Sequence, residues 1–335
     1  MGKIMLLGEA WGEAEEEAGV PFVGPAGYVL NGLLAQAGIA RDECYLTNVF
    51  NLRPRPSNDI LNLCGPKTNG IPGLPALQRG KFVRNEYAPQ LARLYTEIAE
   101  VQPNVIVALG ATAAWALLHT SGIKQIRGYV APTAPAVSRA CGKEFKVVPT
   151  YHPANISRDW SNRPIALADL DKAKGESSFP ELRRPKREIW IEPTLSDLAL
   201  FEPFIRDSVL LSVDIETWND QITCIGFAPN ESLAIVIPFI TFSGDHNYWS
   251  PCDELAAWRY VRHWLTLAPT VFQNGMYDIQ FLWRSYRIPC PTAAEDTMLL
   301  HHAFQPEMEK GLGFLASVYA NDLQWKQMRK GVKHD

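Results

Sequence analysis

The sequence predicts an α/β protein of two domains, residues 1–175 and 194–335, joined by a linker at 176–193. Three observations carry that expectation. In the first half, short apolar runs at 4–7, 44–49, 105–109 and 147–151 alternate with stretches of helical spacing, the pattern of a parallel sheet with crossover helices. In the second half, runs at 209–213, 222–228 and 234–239 follow one another as a meander, and a strand running into a helix comes later, at 271–278. Between the halves, a Pro-, Ser- and charge-rich stretch has little periodicity and reads as a connector.

Composition narrows the class without naming a partner. Of the 335 residues, 47% are hydrophobic, enough for a sizeable core in each half. The net charge of −4 is split unevenly: residues 1–178 carry 18 cationic and 16 anionic side chains, and 179–335 carry 14 and 20. An acidic half does not exclude nucleic acid, because carboxylates around a divalent metal are neutralised in the working protein. Six scattered cysteines without a Cys-x-x-Cys read as free thiols. No apolar run reaches membrane-spanning length, and the residues before Glu9 are too few for a signal peptide. The expected location is the cytoplasm.

The run at 4–7 ends in Gly8-Glu-Ala-Trp-Gly12, then carboxylates up to Glu17, and then Pro21-Phe-Val-Gly24-Pro-Ala-Gly27. In open α/β sheets ligands gather where strands deliver their C-terminal ends, so this is the expected active-site segment. It lacks the third glycine of a dinucleotide fingerprint and the Gly-Lys-Ser/Thr of a phosphate loop. Val29, Leu30, Leu33, Leu34 and Ala37 recur at helical spacing and stop at Gly38. The next strand ends on Asn48, a poor strand former whose amide both donates and accepts.

Residues 53–84 are rich in Pro and Gly and carry Arg53, Arg55, Lys67, Arg79, Lys81 and Arg84. A loop of that length fits either a strand-binding flap, with Arg53 and Arg55 on DNA, or a mobile surface insertion. A helix follows at 90–100. The strand 105–109, Gly110 and a helix at 111–118 form a unit that can present backbone amides to a phosphate. The last strand of this half runs into His152-Pro153.

In the second half, strand alternation puts Asp214 and Glu216 on one face, where paired carboxylates repel unless a cation lies between them. Asn274 and Asp278 are one helical turn apart on the same side.

The segment from Gly8 to Gly27 resembles the first motif of the uracil-DNA glycosylase superfamily, in the branch written Gly-Glu-Ala-Pro-Gly. The likeness continues through Tyr45-Leu-Thr-Asn48-Val, Val105-Ile-Val-Ala-Leu-Gly110-Ala-Thr-Ala, Arg127-Gly and Pro149-Thr-Tyr-His152-Pro. It implies a three-layer α/β/α domain in which Glu9, Asn48 and His152 are catalytic. Glu9 would position the attacking water, and Asn48, with Ala10, Glu13 and Phe22, would hold an extruded uracil. His152 would donate to the base as charge develops on it, and Gly110 and Arg127 would touch DNA. Trp11 stands where that branch has proline, and Ala154 where it has serine. The branch's iron–sulfur cluster needs four cysteines, and Leu52 and Tyr87 occupy two of those positions, so no cluster is expected.

Asp214-Ile-Glu216 followed by Asn274-x-x-x-Asp278, with Glu295-Asp296-Thr and Lys310-Gly-Leu-Gly-Phe-Leu-Ala, resembles the ribonuclease H-like 3′–5′ exonuclease domain attached to DNA polymerase I-type enzymes. That resemblance implies divalent metals, Mg²⁺ or Mn²⁺, on Asp214, Glu216 and Asp278, with Asn274 on DNA. The family's fourth carboxylate, in a Tyr-x-x-x-Asp helix expected after this point, is not found, since Tyr319 and Asp322 are three apart; the expectation is either a chain cut short at its C-terminus or an impaired exonuclease. Together the likenesses imply a phage-type DNA repair or replication protein acting on DNA, with a replicative DNA polymerase as a partner and no membrane. An alternative is a non-catalytic DNA-binding or uracil-sensing module of such a polymerase.

Overall fold

A computed structural model describes residues 3–320. The chain divides into two compact units, Met1–Arg183 together with Gly313–Asp335, and Arg184–Leu312.

The first unit begins with β1 (Ile4–Ala10), the short helix α1 (Glu13–Ala18), α2 (Pro25–Ala37) and β2 (Cys44–Phe50). The long loop carries a two-residue pair, β3 (Cys64–Gly65) with β4 (Phe82–Val83). Then come α3 (Ala88–Val101), β5 (Val105–Leu109), α4 (Ala111–Leu118), α5 (Ile123–Ile126), β6 (Ala131–Pro132), α6 (Pro135–Cys141), β7 (Lys146–Thr150), α7 (Pro153–Arg158) and α8 (Arg163–Glu176). The sheet order is β2-β1-β5-β7-β6, parallel except for the edge strand β6. Because β2 lies on one side of β1 and β5 on the other, the loops after β1 and β5 part company, which opens a crevice at the strands' C-terminal ends.

Every residue of β5 and β7 is buried, as a strand covered on both faces requires. One face packs Met5, Leu7, Phe50, Leu94, Ile98 and Trp115. The other packs Ile4, Leu6, Leu30, Leu33, Leu34 and Leu170. This is the expected three-layer arrangement.

The second unit contains β8 (Glu188–Trp190), α9 (Leu195–Arg206), β9 (Leu211–Trp218), β10 (Gln221–Asn230), β11 (Leu233–Pro238), α10 (Pro251–Trp264), β12 (Thr270–Phe272), α11 (Met276–Tyr286), β13 (Ala293–Asp296) and α12 (Thr297–Phe304). β9, β10 and β11 form the antiparallel meander, and β12 and β13 add parallel to the free side of β9. The resulting order, β13-β12-β9-β10-β11-β8, is the ribonuclease H-like order with β8 added at one edge. Its core gathers Phe201, Leu211, Val213, Ile225, Phe227 and Trp264.

Two boundaries differ from the sequence expectation. The stretch 188–190, expected to be linker, pairs with β11, and a three-residue strand is too short to show periodicity. Helix α13 (Leu312–Tyr319), expected in the second domain, lies almost wholly in the first unit. There the Lys172 ammonium donates to the carbonyls of Ser317 (2.7 Å) and Ala320 (2.8 Å), a cation on a helix C-terminus. Asp322, the near match to a fourth carboxylate, lies outside the described residues.

Candidate active site

The C-terminal ends of β1, β2 and β7 and the segment after β1 enclose a cavity of about 420 Å³, within the range of small-molecule sites. Glu9, Ala10, Phe22, Asn48 and His152 line it, with Trp11, Gly12, Glu15, Asn58 and Arg158. The Trp11 indole is therefore a wall of the cavity and does not fill it.

Asn48 is 2% exposed, and its backbone pairs in register with Gly8. A Cβ at Gly8 would overlap the Asn48 Oδ1 and the Phe22 ring, so only glycine lets both side chains share this spot. Phe22 has φ 58°, a left-handed conformation that costs a bulky side chain energy and persists only where neighbours enforce it. The Arg41 guanidinium does so, donating to the Phe22 carbonyl at 3.1 Å. The Phe22 ring lies 6.4 Å from the His152 ring, tilted by 33°.

Glu9 accepts a hydrogen bond from the Thr112 hydroxyl on α4. Burial pushes the Glu9 carboxyl above its ordinary 4.5, opposed by that bond and by the Arg158 cation. His152 is held on its other nitrogen: the Ala154 amide donates to Nδ1 at 3.2 Å. Nδ1 is therefore the unprotonated acceptor, and the ring proton sits on Nε2. Burial, helped by Arg158, pushes the imidazole down to about 4, so it is neutral near pH 7. Gly110 has φ 94°, and a Cβ there would come within 2.9 Å of the His152 Cβ. It makes room for the histidine and is not among the cavity residues.

Several expected residues stand elsewhere. Glu13 projects outward and pairs with Arg53 at 2.9 Å; the cavity carboxylate from that run is Glu15. Glu15 accepts from the Gly24 amide (2.8 Å) and the Gly12 amide (3.1 Å), tying the two glycine turns together. A glycine N-cap with glutamate three residues on is the sequence signal for it. Arg53 also approaches Glu16, and Arg55 pairs with Glu16 at 2.8 Å, so both loop cations are committed to α1. Arg127, expected on DNA, is instead buried: it is 1% exposed and forks onto Asp169, with Nε–Oδ2 at 3.1 Å, so it cannot meet a DNA strand. Asp169 also accepts from the Thr150 hydroxyl (2.7 Å), and Arg127 Nη1 donates to the Ser317 hydroxyl (3.0 Å).

Leu52 and Tyr87 pack against the apolar cluster around Phe50, and the Tyr87 hydroxyl meets Arg84 Nη2 at 3.1 Å. Neither offers a thiolate, so the residues at these positions do not fit an iron–sulfur cluster.

In the second unit Leu211, Val213 and Ile215 face the core, and Asp214 and Glu216 face outward together. Asp278 is 4% exposed and accepts from the Ile215 amide, between those two acids, at 3.0 Å. Burial raises its carboxyl to about 6, and the Asp214 charge adds to the shift. Among the described residues no three of His, Cys, Asp and Glu are arranged to hold a metal ion, so the three expected ligands are neighbours without a formed shell. Asn274 is exposed at φ 60°. Asp296 braces the turn there, accepting from the amides of Asn274 (3.1 Å), Gly275 (2.7 Å) and Met298 (2.8 Å).

The fold is a three-layer α/β/α domain with a cavity at the C-terminal ends of its strands. The chain belongs to the uracil DNA glycosylase superfamily, whose family model matches residues 2–174. The type-4 uracil-DNA glycosylase of Thermotoga maritima is 35% identical over 176 residues, covering 51% of this chain and 76% of that one. The type-4 enzyme of Pyrobaculum aerophilum is 32% identical over 167 residues, 50% of this chain and 74% of its own. Among solved structures, the catalytic core of RRP6 from Trypanosoma brucei overlaps with a TM-score of 0.32 at 13% identity, covering 43% of this chain and 39% of that one. The Aedes aegypti Nibbler EXO domain overlaps with a TM-score of 0.33 at 12% identity, covering 46% and 78%. These overlaps are weak, and the character of the second unit rests on its strand order. No helix among the described residues is long and apolar enough to cross a membrane.

Proposed function

We propose that the first unit is a uracil-DNA glycosylase, which hydrolyses the bond between uracil and deoxyribose and leaves free uracil and an abasic site. The observation that carries this reading is the convergence of Glu9, Phe22, Asn48 and His152 on one cavity from three strand ends and the segment after β1. An extruded uracil would stack on Phe22, and the Asn48 amide would pair with its edge. As the glycosidic bond breaks, its electrons move onto the base, and the neutral His152 would stabilise the oxygen that gains charge by donating from Nε2. Glu9, as a carboxylate, would orient a water toward the sugar carbon and take its proton.

For the second unit we infer a 3′–5′ exonuclease-type domain that uses Mg²⁺ or Mn²⁺ at Asp214, Glu216 and Asp278, in the context of a phage DNA polymerase. The Asp278 carboxylate, which accepts from the Ile215 amide between Asp214 and Glu216, supports that reading, because it brings the three acids of the motif to one stretch of β9.

The competing reading, a uracil-sensing module without catalysis, draws on Trp11, whose buried Nε1 has no hydrogen-bond partner among the described residues. One experiment separates them. A labelled strand with a single uracil is incubated with EDTA or magnesium and resolved after alkali. Breakage at the uracil in EDTA is expected from a glycosylase; retention of the intact strand with tight binding would establish the sensor instead.

A further inference from the structure

In the branch that the first unit resembles, thiolates tie the loop after β2 to the start of α3. Here those positions hold Leu52 and Tyr87, yet the same two elements are tied by another device. The Gln90 Oε1 accepts from the Asn51 amide at 3.1 Å and from Arg93 Nε at 3.3 Å. Arg93 Nη2 donates to the carbonyls of Asn48 (2.7 Å) and Val49 (3.0 Å). Arg93 Nη1 donates to the Thr47 hydroxyl (3.3 Å) and the Glu97 carboxylate (2.5 Å). These contacts match the five N–H donors that a guanidinium has. β2 is an edge strand, and carbonyls at an edge have no neighbouring strand to serve them.

We propose that this chain holds no iron–sulfur cluster, that Arg93 and Gln90 clamp the end of β2 to α3 in its place, and that Arg93 is a positioning residue for Asn48. The last part rests on the glycosylase reading only where activity is measured. Lysine cannot substitute, since a compact ammonium has three donors and no planar fork.

The test uses the full chain, purified without oxygen, as wild type, Arg93→Ala, Arg93→Lys and Gln90→Ala. Wild type should contain neither iron nor sulfide; stoichiometric amounts of both would overturn the proposal. Hydrogen exchange of the amides from Asn48 to Leu52 should quicken by about ten- to a hundredfold in Arg93→Ala, the loss expected of charge-assisted bonds. Arg93→Lys should resemble it, Gln90→Ala should show a smaller effect centred on Asn51, and amides of β5 should be unchanged. Unchanged exchange from 48 to 52 would overturn the clamp. Discrimination between uracil and cytosine in single-stranded DNA should fall in Arg93→Ala, because a loosened Asn48 reads the base less strictly; faster exchange with intact discrimination would overturn the positioning role. A wild type inactive on uracil would fail the glycosylase reading alone, and exchange at Asn48 would still decide whether Arg93 holds it.

Discussion

At the scale of single residues, the cavity is set by which form each ionisable group takes. A buried neutral His152 cannot gain charge until well below its ordinary 6.5, so protonation of this imidazole should cause no loss of excision as pH falls through that value. The acid limb should come from Glu9, which must be a carboxylate to act on water and whose pKa lies above 4.5. A rate that halves at pH 6.5 with no other cause would contradict the neutral imidazole. The same shift has a stability consequence: the unfolded imidazole takes its proton near 6.5 and the folded one near 4, so His152 favours folding above 6.5 and that contribution fades toward pH 4. Replacing Asn48 or His152 with Ala should slow excision by about 10²–10³-fold, the usual loss of a transition-state donor. Equal rates in both variants and wild type would place the reaction elsewhere. The placement of these two residues on the cavity was legible because Asn48 interrupts a buried apolar strand and His152 follows one closely. Arg127 was not, because its partner Asp169 lies 42 residues away and a lone arginine carries no mark of burial.

At the scale of elements, the strands with uniform burial or clean alternation were legible, and the short pieces between them were not. The acidic run after Gly12 reads as a loop until Glu15 is separated from its neighbours. Its carboxylate turns inward to two backbone amides and Glu13 and Glu16 turn outward to arginines. Glu15→Ala would leave both amides without their acceptor, at about 1–3 kcal/mol for each one that stays buried. A lower midpoint in thermal unfolding is expected, together with loss of excision as the Gly12 and Gly24 turns loosen. Glu13→Ala, which removes only an exposed pair, should change the midpoint little. Similar destabilisation by both substitutions would mean that the buried carboxylate does not brace the turns.

At the scale of the whole molecule, the sequence shows two sheets of different kind and conceals where the first unit ends. α13 follows the second unit in sequence, yet Phe314 and Leu315 are buried and Ser317 joins the Arg127 and Asp169 pair. A pattern of apolar residues announces a helix and says nothing of which core receives it. The division of chemistry is testable all the same, because the two proposed reactions use charge in opposite ways. Uracil excision relies on a neutral imidazole and a carboxylate with no metal, and trimming from a 3′ end relies on carboxylates made compatible by cations. Chelation should therefore abolish trimming of single-stranded DNA and spare breakage at uracil. Asp214→Ala should do the same in the presence of manganese, and Asn48→Ala should do the reverse. A manganese titration of nucleotide release measures how completely Asp214, Glu216 and Asp278 fill the two-metal site. Trimming that saturates at low manganese would mean that a further residue of this chain completes the shell, and trimming that survives Asp214→Ala would place the nuclease outside these strands.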